Sequence, residues 1–177
     1  MNGWAIAAGC DPQELSGRWL QFHENSIRGI HECYRPVLDY GVVVTGLGLK
    51  PRLFTTPEVA LEHLKASCGF AAVAGRLYID GGVLNPLPLW AATEMGAMDI
   101  LAINVLPQLP GSLVRTSVWF LRGLAPPYPA PADGVKVALL QPEKPLGSMR
   151  DALLYKEANA RKWLELGRSD AEKLVIG

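Results

Sequence analysis

Arg76-Leu77-Tyr78-Ile79-Asp80-Gly81-Gly82-Val83-Leu84-Asn85-Pro86-Leu87-Pro88-Leu89 decides how this chain is read. An apolar, strand-like run ends in a carboxylate, two glycines follow, and Asn85-Pro86 then offers a helix start. Asp-Gly-Gly alone says little, because Asp and Gly dominate ordinary turns for backbone reasons. Its setting says more. Ligand sites of open α/β sheets gather at the carboxyl ends of strands, which is where Asp80 falls.

Working outward, Phe70 to Val73 and Leu77 to Ile79 read as two short strands around Ala74-Gly75, or as a loop and one strand. Further upstream, β-branched Val42-Val43-Val44-Thr45 reads as a buried strand and Arg52-Leu53-Phe54-Thr55 as its partner. Thr56-Pro57-Glu58-Val59 has the form of a cap followed by proline, and Val59, Leu61, Leu64 and Ala66 give a helical stripe to about Ser67. At the start, Asn2 to Gly9 suits a short buried helix, and Asp11-Pro12 opens a second one running to about Glu24.

Downstream, Pro86 to Met95 is expected to be helix, stopped at Gly96. Asp99 to Val105 reads as a central parallel strand, apolar on both faces, closed by Pro107 to Gly111. Ser112 to Leu124 suits an amphipathic helix, and Pro126 to Asp133 a mobile proline-rich surface loop. Val135 to Leu140 reads as the last strand, and Ser148 to Leu166 as one or two helices ending near Gly167. Strands alternating with helices over one domain, residues 1–177, imply a layered α/β fold.

Composition narrows the function. Lys and Arg number 17, as do Asp and Glu, so the chain has no basic footprint for nucleic acid. Hydrophobic residues make up 49%, at the apolar end for a soluble domain. The apolar opening Met1 to Ala8 is too short to span a membrane and lacks the basic flank of a signal peptide. A cytoplasmic location is the default expectation, with the compartment otherwise open. Cys10, Cys33 and Cys68 form no C-x-x-C pair and read as free buried thiols of a reducing compartment. No metal-ligand spacing and no phosphate loop occurs: Gly46 and Gly48 run into Leu49-Lys50-Pro51, a poor helix start. No metal and no cofactor is therefore expected.

Nucleophiles are harder to find. His23, His31 and His63 lie in polar or helical contexts, and His63 reads as exposed. Ser16, Ser26, Ser67, Ser112, Ser117, Ser148 and Ser169 include none in a G-x-S-x-G elbow, whose strained turn needs small flanking residues. Ser148 follows Gly147, but Arg150 stands where the second glycine belongs. The five tryptophans fit core positions better than ligand stacking.

Around Asp80 the chain resembles the patatin-like phospholipase family. Gly75 to Pro88 is similar to that family's base motif, and Leu64-Lys65-Ala66-Ser67-Cys68 to the segment ahead of it. Leu89 to Ala97, the strand to Val105, and Pro145-Leu146-Gly147-Ser148 continue the likeness over most of the chain. Gly69-Phe70-Ala71-Ala72-Val73 is shorter than its counterparts and lacks their prolines, which bears on how the base strand sits. Met1-Asn2-Gly3-Trp4-Ala5 looks like the continuation of a nucleophile elbow whose serine would lie just upstream.

The resemblance implies a three-layer fold with a mainly parallel central sheet, truncated at its N-terminus. It implies hydrolysis of a lipid or other acyl ester by a Ser-Asp dyad, with Asp80 as base and Gly81, Gly82 and Asn85 shaping the base loop. Peripheral membrane contact fits such a substrate. The chain would carry the base without the nucleophile and be inactive alone. Two other readings stay open: a short form that binds acyl chains or a protein without catalysis, and an unrelated α/β small-molecule binding domain. A truncated sheet would also leave an open edge and promote association.

Overall fold

The computed structural model describes residues 2–21, 26–105, 112–128, 130–131, 133–142, 151 and 156–176. Four strands form the principal sheet: β1 (Gly41–Gly46), β2 (Pro51–Thr55), β3 (Phe70–Val73) and β4 (Arg76–Asp80). Their order is β2-β1-β4-β3, and every pairing is antiparallel. Local chemistry explains the two hairpins. Ala74 and Gly75 both have positive φ, 47° and 74°, as a two-residue turn matched to strand twist requires. Leu47 to Lys50 close the other, where Gly46 N–H donates to Lys50 O at 3.0 Å and Leu49 takes φ 57°.

The helices are α1 (Asn2–Ala7), α2 (Pro12–Leu20), α3 (Ser26–Cys33), α4 (Leu61–Ala66), α5 (Leu89–Glu94), α6 (Ser112–Leu124) and α7 (Glu157–Ile176). Two further strands, β5 (Asp99–Ile103) and β6 (Lys136–Leu140), make a separate parallel pair. Residues alternate across a strand. Val42, Val44, Phe54 and Tyr78 therefore share one face of the large sheet, where they bury against Trp4, Ala5, Leu15, Leu64 and Ala66. Leu64 and Val44 are wholly buried, worth about 1.5–3 kcal/mol each. Val43 lies on the opposite face, where the segment after β4 and helix α5 lie against β1.

The expected mainly parallel central sheet is not what forms. The described residues give a mixed α/β structure with a four-stranded antiparallel sheet and a detached two-stranded parallel one. The reason is connection length: short hairpin turns join β1 to β2 and β3 to β4, and such turns allow only antiparallel neighbours. β5 and β6, separated by α6, have the crossover a parallel pair needs and pair that way. The Asp99 to Val105 run is thus a strand of the small pair instead of a central one, with Leu101 and Ile103 each 57% exposed.

Several boundaries move for identifiable reasons. Thr56 starts no helix, because its N–H donates to Tyr40 O and its Oγ1 accepts from Tyr40 N–H. Helix α4 begins instead at Leu61. Helix α5 begins at Leu89, since Pro88 pushes Leu87 out of helical conformation. Helix α7 runs through Gly167, which costs about 1 kcal/mol against alanine. The i,i+4 pairs Arg161–Glu157 and Arg168–Glu172 flank that glycine. Asp11 caps α2 as expected, its Oδ1 accepting from Gln13 and Glu14 N–H, but α2 ends at Leu20. His23, Pro107 to Gly111 and Ser148 lie outside the described residues. Among the described residues no helix is long and apolar enough to cross a membrane.

Candidate functional site

Asp80 closes β4, and its own backbone N–H is tied to Gly69 O at 2.9 Å. It then caps a 3-10 turn, Gly81–Val83, with Oδ1 accepting from Gly82 N–H at 2.8 Å. The turn is held from two sides. Asn85 N–H donates to Gly81 O at 2.9 Å, and Arg122 of α6 donates to Val83 O at 3.2 Å. The sequence motif therefore folds as a capped turn, with the helix starting later than Asn85-Pro86 suggests.

Two of these positions are close-packed, and at Gly81 a side chain has no room. A Cβ on Gly81 would stand 2.7 Å from Val43 O, so the turn rests directly on the backbone of β1. A Cβ on Gly82 would stand 3.1 Å from Asp80 Oδ1, the oxygen that its own N–H holds.

Asp80 borders a cleft of about 380 Å³. Gly41, Val43 and Leu53 of the sheet line it, with Gly82, Asn85, Pro86 and Pro88 of the connection and Ala91, Ala92 and Met95 at α5. Sequence reading finds Asp80, Gly82 and Asn85 here. Gly81 supports the wall from behind by its contact with Val43. It misses Gly41, Leu53, Ala91, Ala92 and Met95, although Gly41 just ahead of a valine run and Met95 just ahead of the Gly96 helix stop are visible landmarks.

Burial pushes the Asp80 carboxyl above the ordinary carboxylate value, and the Gly82 hydrogen bond opposes this by favouring the anion. The result is a carboxyl held in place by one oxygen and biased toward accepting a proton. That is the chemistry of a general base, or of an acid once charged with a proton.

Among the described residues lining the cleft there is no serine, cysteine or histidine. Ser16 and Ser67 donate to helix carbonyls, Gln13 O and Leu64 O. Ser112, Ser117 and Ser169 are exposed on α6 and α7. His31 stacks on Trp4 with ring centroids 5.1 Å apart. His63 is buried, contrary to its exposed appearance in sequence, because its Nδ1 accepts the Ala60 N–H at 3.0 Å and its ring lies 4.2 Å from that of Phe54. Cys33 and Cys68 are exposed and Cys10 half-buried, so the thiols are free but not the buried ones expected. Trp4 and Trp90 are core residues, whereas Trp119 is 74% exposed. Among the described residues no cluster of His, Cys, Asp and Glu could hold a metal.

Neither a protein-family model nor a curated protein matches this chain.

Proposed function

We propose that Asp80 is the general base of a serine-type acyl hydrolase resembling the patatin-like phospholipases, acting on a lipid or other acyl ester. The observation that carries this reading is the placement of Asp80: a strand-end carboxyl with raised proton affinity, fixed by Gly82 N–H, at the border of a mainly apolar cleft. The nucleophile is the missing part. None of the described cleft-lining residues is a serine, so the dyad's attacking hydroxyl is not among them. Asp80 would take its proton during attack and return it to the leaving alcohol.

The test is hydrolysis of a p-nitrophenyl ester by the protein purified from its natural source, beside its Asp80→Asn form. Removing a general base costs about 10²–10⁴-fold in kcat, and KM should change little. Hydrolysis surviving Asp80→Asn would end this reading. The 177-residue chain alone should not be labelled by a serine-reactive fluorophosphonate.

A second reading is that the chain binds an acyl chain without catalysis. The described lining of the cleft, apolar apart from Asp80 and Asn85 and without a nucleophile, favours it. It predicts that the natural protein binds acyl esters, is untouched by fluorophosphonate and turns nothing over.

A further inference from the structure

The Asp80 cleft has a chemical character that limits what can enter it. Among the described residues that line it, Asp80 is the one ionisable side chain and Asn85 the one other with a polar side chain. The remainder are glycine, proline, alanine, valine, leucine and methionine. A phosphate or carboxylate placed there would find no lysine, arginine or histidine to pair with among the described lining residues. It would face a carboxylate in a partly desolvated setting, where like charges repel strongly. An uncharged ester or alcohol suffers no such penalty and can accept from or donate to Asn85.

Size adds a second limit. Pockets for small ligands run from about 300 to 1,000 Å³, and this cleft, at about 380 Å³, lies at the lower end. That volume matches a single chain better than a two-chain lipid.

A third feature is the seat of Met95 in the cleft. Met95 ends helix α5 as its C-cap, with its N–H bonded to Ala91 O. Its thioether lies over Gly41: a Cβ built on that glycine would stand 2.5 Å from the Met95 sulfur and 3.0 Å from Leu53 Cδ1. Met95 therefore occupies space that any other residue at position 41 would claim. Its side chain is unbranched and 37% exposed, so it can swing without disturbing the core.

We propose that this cleft binds one uncharged apolar chain by its ester or alcohol end, and that Met95, resting on Gly41, gauges the length of chain admitted. The proposal rests on the acyl hydrolase reading only for which end of the ligand faces Asp80. Binding needs no nucleophile, so the two can fail separately.

The experiment uses the 177-residue protein carrying methyl-labelled methionine, titrated with methyl octanoate and methyl dodecanoate below their solubility limits and with octanoate and octyl phosphate below their micelle-forming concentrations. Methyl octanoate should bind saturably and shift the Met95 methyl resonance, and the two anions should bind at least about tenfold more weakly. Met95→Ala should move the preference toward methyl dodecanoate by about tenfold. Gly41→Ala, which drives the thioether off its seat, should weaken methyl octanoate binding. Octyl phosphate binding as tightly as the ester would overturn the proposal. So would saturable binding that leaves the Met95 methyl unmoved, or an unchanged chain-length preference in Met95→Ala. Binding as expected, with Asp80→Asn leaving ester hydrolysis by the natural protein intact, would remove the catalytic reading and keep this one.

Discussion

Gly81 and Gly82 are adjacent, yet their replacement should act on different properties. The Cβ of Gly81→Ala would meet backbone atoms of Val43, which cannot swing aside. Overpacking of this kind costs about 1–3 kcal/mol, and chemical denaturation should register it as a lower midpoint. The Cβ of Gly82→Ala would meet only the Asp80 carboxylate at 3.1 Å, which can shift by a few tenths of an ångström. Stability should change little there, while the proton affinity of Asp80, followed by carboxyl carbon NMR, should change. Asp80 itself opposes folding when ionised. Burial raises its folded pKa above the ordinary carboxylate value of 3.8, so the native state holds its proton longer than the unfolded state does. Stability from this group is full below that value and is lost as pH rises through the folded pKa. Asp80→Asn keeps a capping oxygen for Gly82 N–H and removes the charge. The variant should melt higher than the parent at pH 7, with the gap closing in acid. His63 works in the other direction. Burial lowers its pKa below 6.5, so the unfolded state takes up the proton first and stability falls as pH drops below that value. A protonated Nδ1 would also stop accepting the Ala60 N–H that starts α4. Replacing His63 with Asn, which can accept that bond without titrating, should flatten the acid limb of the stability curve near pH 6.

Elements were legible where their own residues carry the instruction. The β-branched run at Val42 to Thr45 lies within β1, Asp11-Pro12 caps α2, and Ser112 to Leu124 matches α6. The direction of neighbouring strands was not legible in the same way. An apolar run states that a strand is buried, not which way its neighbour points, and Val44 meets Asp80 across strands far apart in sequence. The clue that did bear on direction was Ala74-Gly75, a two-residue connection that forces an antiparallel pair. Family likeness pointed the other way, toward parallel strands. The site divides similarly. Asp80 and its glycines stand in one contiguous motif, whereas Gly41, Leu53 and Met95 join them only through the β1–β2 hairpin and helix α5. His63 looked exposed beside Glu62, because nothing local shows that the Ala60 N–H needs a partner.

At the scale of the whole molecule, exposed apolar side chains gather on a few elements. Leu101, Ile103 and Val105 of the β5 segment are more than half exposed, and Val137 and Leu139 of β6 are 43% and 47% exposed. Trp119, Phe120 and Leu124 of α6 are 60% exposed or more. Patches of this kind favour association, and an open strand edge adds backbone groups ready to pair. The isolated 177-residue chain should self-associate with rising concentration in light scattering, and Leu101→Lys combined with Ile103→Lys should suppress this. A monodisperse monomer with unchanged behaviour in the double variant would count against it. The two sheets also share no ladder, so the backbone bonds of β5 and β6 can open while β1 to β4 stay closed. A lone pair of strands is marginal in water. In deuterium oxide, the amides of Ile100 to Ile103 should therefore exchange well before those of Val42 to Thr45. A protein built this way unravels from its small sheet first, and keeps Asp80 and its turn in place after that end has opened.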